Sequence, residues 1–278
     1  MAYLLGIDGG GTGCRAAVVD PDGRIVASGE SGPANIVSDF AVAVANILGA
    51  ARSALGQVGI NPSSGALKVG LGLAGGNAEG AVRDLGFTLP FRRMRIASDA
   101  ETAAKGALGQ ADGILAAIGT GSVFVIRHAG RIRQIGGWGF TLGDEGSGAS
   151  MGRQLLALTL KMADGRQAES GLLRALLDEM GGSGEIPRFA ATASPADFAR
   201  MAPRVLETDD PAAVAIRDDA VREVAEVIAF LQPNPPLPVI ITGGLAAFYE
   251  RRLAGRWDLR PQLGTALDGA LLLAREVA

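Results

Sequence analysis

Tyr3 to Ile7 is a short apolar run that stops at Asp8 and a cluster of glycines, the pattern of a buried strand entering a sharp turn. Arg15 to Asp20 and Arg24 to Ser28 flank Pro21-Asp22-Gly23, a strong turn signal, so the chain is expected to open as three strands with an antiparallel hairpin. Ser38 or Asp39 stands where a cap belongs. Val44, Ile47, Leu48, Ala51 and Leu55 then recur on one helical face. Leu67 to Leu73 reads as a buried strand closed by Gly75-Gly76, and Asn77 to Leu85 as a short helix. Met94 to Ser98 is a further strand ending at Asp99, and Ala100 to Leu108 is rich in helix formers.

The pattern then starts again. Gly113 to Ile118 reads as a strand that ends in Gly119-Thr120-Gly121-Ser122, and Val123 to Arg127 and Arg131 to Ile135 flank the turn Ala129-Gly130. A strand, a Gly/Thr turn and a hairpin thus occur twice, which points to an internal duplication. Two similar α/β domains facing each other across a cleft are expected, over residues 1–108 and 109–278, with the last helix (265–278) able to pack back on the first domain. The second half is more helical: Ala149 to Ala163, Ser170 to Met180, and helices capped at Ser194-Pro195 and Asp210-Pro211. Val221, Val224, Ala225, Ile228 and Leu231 make a stripe that stops at Pro233. Pro238 to Thr242 is a late strand before Gly243-Gly244 and another helix, and a final helix spans about Thr265 to Glu276.

Composition narrows the function. The 278 residues are 48% hydrophobic and 20% charged, enough apolar content for a real core. The net charge of −3 and the scattered arginines argue against a nucleic-acid binder. The one dense basic cluster, Arg92, Arg93 and Arg95, reads as a solvated edge. Cys14 is the single cysteine and His128 the single histidine, which excludes an internal disulfide and a structural zinc site. Cys14 reads as a packing residue and His128 as a surface one. The first residues carry no basic leader, and no run approaches the length of a membrane span, so the cytoplasm is the expected compartment.

The candidate chemistry lies at the strand ends. In Gly6-Ile7-Asp8-Gly9-Gly10-Gly11-Thr12-Gly13 a strand delivers one carboxylate to a turn almost bare of Cβ atoms, where backbone N–H groups can approach a polyanion. A carboxylate beside phosphates calls for a cation, so Asp8 points to Mg²⁺ held through water. There is no Walker lysine, and a hairpin rather than a helix follows. Gly119-Thr120-Gly121-Ser122 is the equivalent turn of the second unit. Asp99 ends a strand and opens a helix, which suits either an N-cap or a base that takes the proton of an attacking hydroxyl. Gly136 to Gly148 holds six glycines, Trp138, Asp144 and Glu145 in thirteen residues, a poor core segment and a good functional loop. Acids and a flat aromatic suit a polyhydroxylated ligand; the plain alternative is a surface turn pinned by a buried Trp. Gly243-Gly244-Leu245 could let an adenine lie on exposed backbone.

Taken in order, these residues resemble the BadF/BadG/BcrA/BcrD-type ATPase family of the sugar kinase/Hsp70/actin superfamily, and within it the N-acetylglucosamine and glucosamine kinases. The most specific stretches are Gly6 to Thr12 and Gly136 to Gly148, with Ser31 to Asn35 and Thr242 to Gly244 in support. The resemblance implies duplicated actin-like ATPase (ribonuclease H-like) domains and phosphoryl transfer from ATP to the 6-hydroxyl of a small amino sugar. It implies that Asp8 serves the metal and that Gly10, Gly11, Thr12, Gly13, Gly119, Thr120, Gly121 and Ser122 hold phosphates. It further implies that Gly243, Gly244 and Leu245 hold adenosine, that Asp99 is the base, and that Asn35, Asp99, Gly137, Trp138 and Asp144 meet the sugar. A homodimer is the implied assembly. The alternatives are a nucleotide or sugar sensor without turnover, and an activator-type ATPase; the latter's shared iron–sulfur cluster needs more than one cysteine per chain. Whether the sugar carries an amine or an acetamide at C2 is left open by these residues.

Overall fold

The structure, a computed structural model, describes residues 2–278; Met1, with which the first expected domain begins, lies outside them. In chain order the elements begin β1 (Tyr3–Gly9), β2 (Cys14–Val19), β3 (Ile25–Ser31), α1 (Phe40–Gln57), β4 (Leu67–Leu73), α2 (Glu79–Thr88), β5 (Met94–Ser98) and α3 (Asp99–Leu108). They continue with β6 (Gly113–Ile118), β7 (Ser122–His128), β8 (Arg131–Gly136), α4 (Gly148–Ala163), α5 (Gly171–Glu179), α6 (Glu185–Thr192), α7 (Pro195–Ala199) and α8 (Ala202–Leu206). The chain closes with α9 (Pro211–Leu231), β9 (Val239–Thr242), α10 (Ala246–Leu253) and α11 (Ala266–Arg275). It divides into two compact units, Met1–Gly113 with Val125–Arg133 and Pro261–Ala278, and Ile114–Phe124 with Gln134–Arg260.

The first unit carries a five-stranded sheet in the order β3-β2-β1-β4-β5. The hairpin strands β1, β2 and β3 pair antiparallel, and β1, β4 and β5 run parallel. Both faces of the inner strands β1 and β4 are buried, so these strands read as unbroken apolar runs, whereas the edge strand β3 alternates exposed and buried residues. Leu5, Ile7, Val18, Val69 and Leu71 point to one side, where Ile47 and Leu55 of α1 complete the core. Each such side chain contributes roughly 1.5–3 kcal/mol of burial. The face of α1 is broader than the larger side chains indicate: Ala43, Ala50 and Ala54 are fully buried on it, while Val44 and Leu48 flank it. Ala17, Val19 and Leu271 form the opposite patch.

On that opposite side the sheet is surfaced by glycine. Gly6, Gly70 and Gly72 alternate with the core residues, and a Cβ on any of them would strike α11 or α3: Leu271, the Ala270 carbonyl and Thr102 respectively. Small residues here let both helices lie directly on the backbone. The last turn of the chain is held by the basic cluster. Arg93 Nε donates to the Ala278 carbonyl at 2.8 Å, and Arg95 pairs with Glu276 at 2.6 Å, so these two arginines serve the C-terminal helix and only Arg92 is left as a solvated edge.

The second sheet has the order β8-β7-β6-β9, with β6 and β9 parallel. It repeats the logic of the first: β6 stands to β7, β8 and β9 as β1 stands to β2, β3 and β4. The expected caps are in place. Asp39 rather than Ser38 caps α1, accepting from Val42 N–H at 3.0 Å, and Ser194 with Asp197 forms a full capping box on α7. The short helix expected at Asn77 to Leu85 starts two residues later and runs on to Thr88. Helices α6 and α8 lack a sequence signal; α6 is eight residues and α8 five, too short to show a periodic face.

Candidate active site

Within the first unit, period-two alternation puts Leu4, Gly6 and Asp8 on the face that α11 and α3 cover. Asp8 stands at the C-terminal end of β1, buried, with Oδ2 paired to Arg15 Nη2 of the neighbouring strand at 2.8 Å. The turn beyond it is tied at both flanks: Gly10 N–H donates to Gly13 carbonyl at 2.9 Å, Ala34 N–H to Gly10 carbonyl at 2.9 Å and Ala74 N–H to Gly9 carbonyl at 2.8 Å. Its tip is free. Gly11 and Thr12 are exposed, and a Cβ on Gly11 would meet nothing within 4 Å. Cys14 just past the turn is buried, and its thiol is pushed up to about 12 by burial first and the Asp8 charge second, so it is an unreactive packing residue.

Gly9 of β1, Leu73 of β4 and Ser98 of β5 share one level of the sheet. Asp8 and Asp99 therefore sit at the carboxyl edge of parallel strands, where open α/β sheets place ligands. They are separated by β4, which sets their backbones about 10 Å apart. Of the two readings of Asp99, the cap falls away. Ser98 is the N-cap of α3, its Oγ accepting from Glu101 N–H at 3.1 Å, and Asp99 is the first residue of the helix. The half-buried Asp99 carboxylate accepts the N–H of its neighbour Ala100 at 2.9 Å. Burial raises its pKa, and the Asp8 charge adds to the rise. Asn35 lies after β3 and uses its Oδ1 on the N–H groups of Val37 (2.9 Å) and Ser38 (3.1 Å), which orients its amide nitrogen as a donor.

In the second unit the turn Gly119 to Ser122 joins β6 to β7, closed by Gly119 N–H on Gly121 carbonyl at 2.9 Å. Helix α4 opens against it: Gly148 N–H donates to Gly119 carbonyl at 2.8 Å and Ala149 N–H to Thr120 carbonyl at 3.1 Å. Asp144 packs on the same turn. It is 6% exposed, has a positive φ of 63°, and accepts Ser122 N–H at 3.2 Å. Burial raises its pKa above the ordinary value. The structure thus engages Asp144 with the glycine turn. Trp138 is 72% exposed, so the reading of the loop as a turn pinned by a buried Trp is overturned. What pins the loop is Phe140, stacked on Phe198 at 4.8 Å, and Gly146. Gly137, beside Trp138, is exposed and has a φ of 70°, a conformation that glycine adopts freely.

Gly243-Gly244 after β9 meets the same turn. Leu245 N–H donates to Ile118 carbonyl at 3.1 Å, and a Cβ on Gly243 would fall on the Ile118 backbone. A pocket of about 370 Å³ opens there, with Gly119, Thr120, Gly244 and Leu245 on one side and Ala202 and Leu206 of α8 on the other. The far wall, which also includes Ala199, Pro203 and Glu207, was not legible in the sequence: the cap at Ser194 announces α7, but helices of five residues are too short to show which face turns to a pocket. His128 is exposed on the β7–β8 turn.

Two strand–glycine turn–hairpin units, each with a parallel strand beyond, define a duplicated α/β ATPase of the actin-like type. The chain belongs to the BadF/BadG/BcrA/BcrD ATPase family, whose model matches residues 5–253. It is 29% identical over 283 aligned residues to the glucosamine kinase GspK of Vibrio cholerae, an alignment covering 99% of this chain and 96% of that one. It superposes with a TM-score of 0.89, at 36% identity and 99% coverage of both chains, on a Chromobacterium violaceum crystal structure provisionally described as an N-acetylglucosamine kinase. A ROK family glucokinase from Streptomyces griseus, solved with glucose and AMPPNP, shares the fold at 19% identity, with a TM-score of 0.54 and 99% coverage of this chain.

Proposed function

We propose that this protein is an ATP-dependent amino-sugar kinase that transfers the γ-phosphoryl group of ATP to the 6-hydroxyl of N-acetylglucosamine or glucosamine. The observation that carries the reading is Asp99: a half-buried carboxylate at a strand's carboxyl edge, relieved of capping by Ser98, with a raised proton affinity. In this role Asp99 takes the proton from O6 as the O6–P bond forms and the bond from γ-phosphorus to the bridging oxygen breaks, with ADP as leaving group. The kinases among the relatives support the amino sugar as acceptor.

The remaining roles follow the chemistry of each site. The turns Gly10 to Gly13 and Gly119 to Ser122 receive phosphate oxygens on the N–H groups that their own hydrogen bonds leave free. The pocket lined by Gly244 and Leu245, behind which Gly243 makes the turn, takes adenosine. Trp138 offers its exposed ring to a pyranose face, Gly137 gives it room, and Asn35, Asp99 and Asp144 are the polar partners for sugar hydroxyls. Asp8 fits a Mg²⁺ ion. No group of three metal-ligating side chains occurs among the described residues, and a single carboxylate suits an ion that keeps its waters and takes its other oxygens from phosphate. Arg15 now supplies the positive charge opposite Asp8. When bound, Mg²⁺ would neutralise charge on the transferring phosphoryl group. The reading also makes the protein a cytoplasmic homodimer acting on a small molecule and not on nucleic acid. No helix among the described residues is long and apolar enough to cross a membrane.

The test is ADP release with Mg·ATP against glucosamine, N-acetylglucosamine, N-acetylmannosamine, glucose and buffer alone. Strong stimulation by one amino sugar is the expected result and identifies the group at C2. A flat panel with ATP binding intact overturns the reading as a kinase of these amino sugars, in favour of a sensor or of a sugar outside the panel.

A further inference from the structure

Gly146 is gripped from two helices at once. Its N–H donates to Glu223 Oε2 of α9 at 3.1 Å, and its carbonyl accepts the hydroxyl of Tyr249 of α10. Tyr249 is fully buried, and Gly146 has a φ of 66° that a side chain would strain. There is also no room for one: a Cβ would lie 2.5 Å from Val224 Cγ2 and 2.6 Å from the Tyr249 hydroxyl. Neither Glu223 nor Tyr249 belongs to any phosphate, sugar or adenosine motif.

The residues just before Gly146 carry the consequence. Glu145 carbonyl accepts Ser122 Oγ at 2.8 Å, and Asp144 Oδ1 accepts Ser122 N–H at 3.2 Å. Asp144 carbonyl in turn accepts Ser147 N–H at 3.0 Å, at the cap of α4. A chain of hydrogen bonds therefore runs from α9 and α10 through Gly146 to the second glycine turn. Glu223 is half-buried, and its carboxyl is pushed up by burial first, with Asp219 and Glu145 adding to the rise, so this is a partly desolvated contact.

We propose that Glu223 and Tyr249 are positioning residues, whose joint hold on Gly146 sets the geometry of Gly121 and Ser122. The inference rests on the kinase reading only for its kinetic consequence. Its structural content is independent of that reading.

The experiment is amide hydrogen exchange on the full ligand-free chain for Tyr249→Phe, Glu223→Leu and Glu223→Gln. Tyr249→Phe removes one oxygen and leaves the packing. Glu223→Gln keeps an oxygen that can still accept from Gly146. Exchange over Gly119 to Ser122 and over Gly143 to Gly148 should accelerate about tenfold or more in Tyr249→Phe and Glu223→Leu. It should return close to wild type in Glu223→Gln, while peptides from β1 and β4 stay unchanged in all three. Turnover should fall in the same order. Unchanged exchange at Gly119 to Ser122 overturns the proposal even if Gly143 to Gly148 loosens. Equal acceleration in β1 and β4 also overturns it, because the residues then act only on global stability. A wild type without sugar-stimulated ADP release would sink the kinase reading and leave the exchange comparison standing.

Discussion

Asp144 and Gly121 are built as one unit: both carboxylate oxygens of Asp144 lie 2.9 Å from the point where a Cβ on Gly121 would stand. The same carboxylate holds the N–H of Ser122. The glycine is therefore required by the acid, and the acid fixes the backbone N–H groups of the turn. Gly121→Ala should displace the Asp144 carboxylate and raise the KM for ATP at least about tenfold, since removing a partner from a buried polar group costs about 1–3 kcal/mol. Asp144→Ala should do the same by leaving Ser122 N–H unpaired. Asp144→Asn keeps an acceptor oxygen and should be milder toward ATP. Titration calorimetry with ATP separates the three; equal affinities would remove Asp144 from the turn's support.

Asp99 links activity to stability in opposite directions. Its pKa is raised from 3.8 by burial first, and the Asp8 charge adds to that. The folded state thus binds this proton more tightly than the unfolded one. The sign follows: the stability linked to this proton is full at pH values below the unfolded pKa, is lost as pH rises through the folded pKa, and stays lost above it. Asp99→Asn should accordingly raise the melting temperature at pH 7, with the gain vanishing as pH falls toward 3.8 and below. Turnover should drop by about 10²–10⁴ with sugar and ATP binding retained. A variant that loses turnover together with stability at neutral pH would show a structural defect and no base.

The strand ends were legible because their chemistry is local. A glycine run after an apolar run announces its turn, and duplication of that signal at Gly10 and Gly119 announces the fold. Asp99 shows the limit: the sequence offered it as a cap or as a base, and only the backbone registers the cap one residue earlier, on Ser98. The burial of Trp138 was likewise open, because a lone Trp among glycines carries no periodicity. Glu223 and Tyr249 were out of reach for another reason. Their role depends on contacts with Gly146, which lies 77 and 103 positions away. On its own helix Glu223 looks like a solvated residue between Val221 and Val224, and Tyr249 like a stray aromatic in a charged segment.

Trp138 offers the cleanest separation of binding from folding. At 72% exposure it contributes little to the core. Trp138→Ala should change stability by no more than about 0.5 kcal/mol, as for ordinary surface positions. The KM for the sugar should rise at least about tenfold through loss of the ring face, while the KM for ATP stays put. Steady-state kinetics with each substrate varied in turn reads the split. A rise in both constants, or in neither, would take Trp138 out of the sugar site.

The wall supplied by α7 and α8 makes a prediction for the nucleotide alone. Ala199 is half-buried and faces the pocket that Gly244 and Leu245 close. A phenylalanine there would extend into open pocket volume and not into packed core, so the fold should tolerate it. Ala199→Phe should weaken ATP by at least about tenfold, because the aromatic ring competes for the space that adenosine needs. Inorganic pyrophosphate should meet the glycine turns but not the α7–α8 wall of the pocket, and its inhibition constant should not move. Loss of ATP and pyrophosphate affinity together would mean that the substitution disturbs the Gly119 to Ser122 turn itself. Unchanged ATP affinity would place adenosine outside this pocket and withdraw Gly243, Gly244 and Leu245 from its recognition.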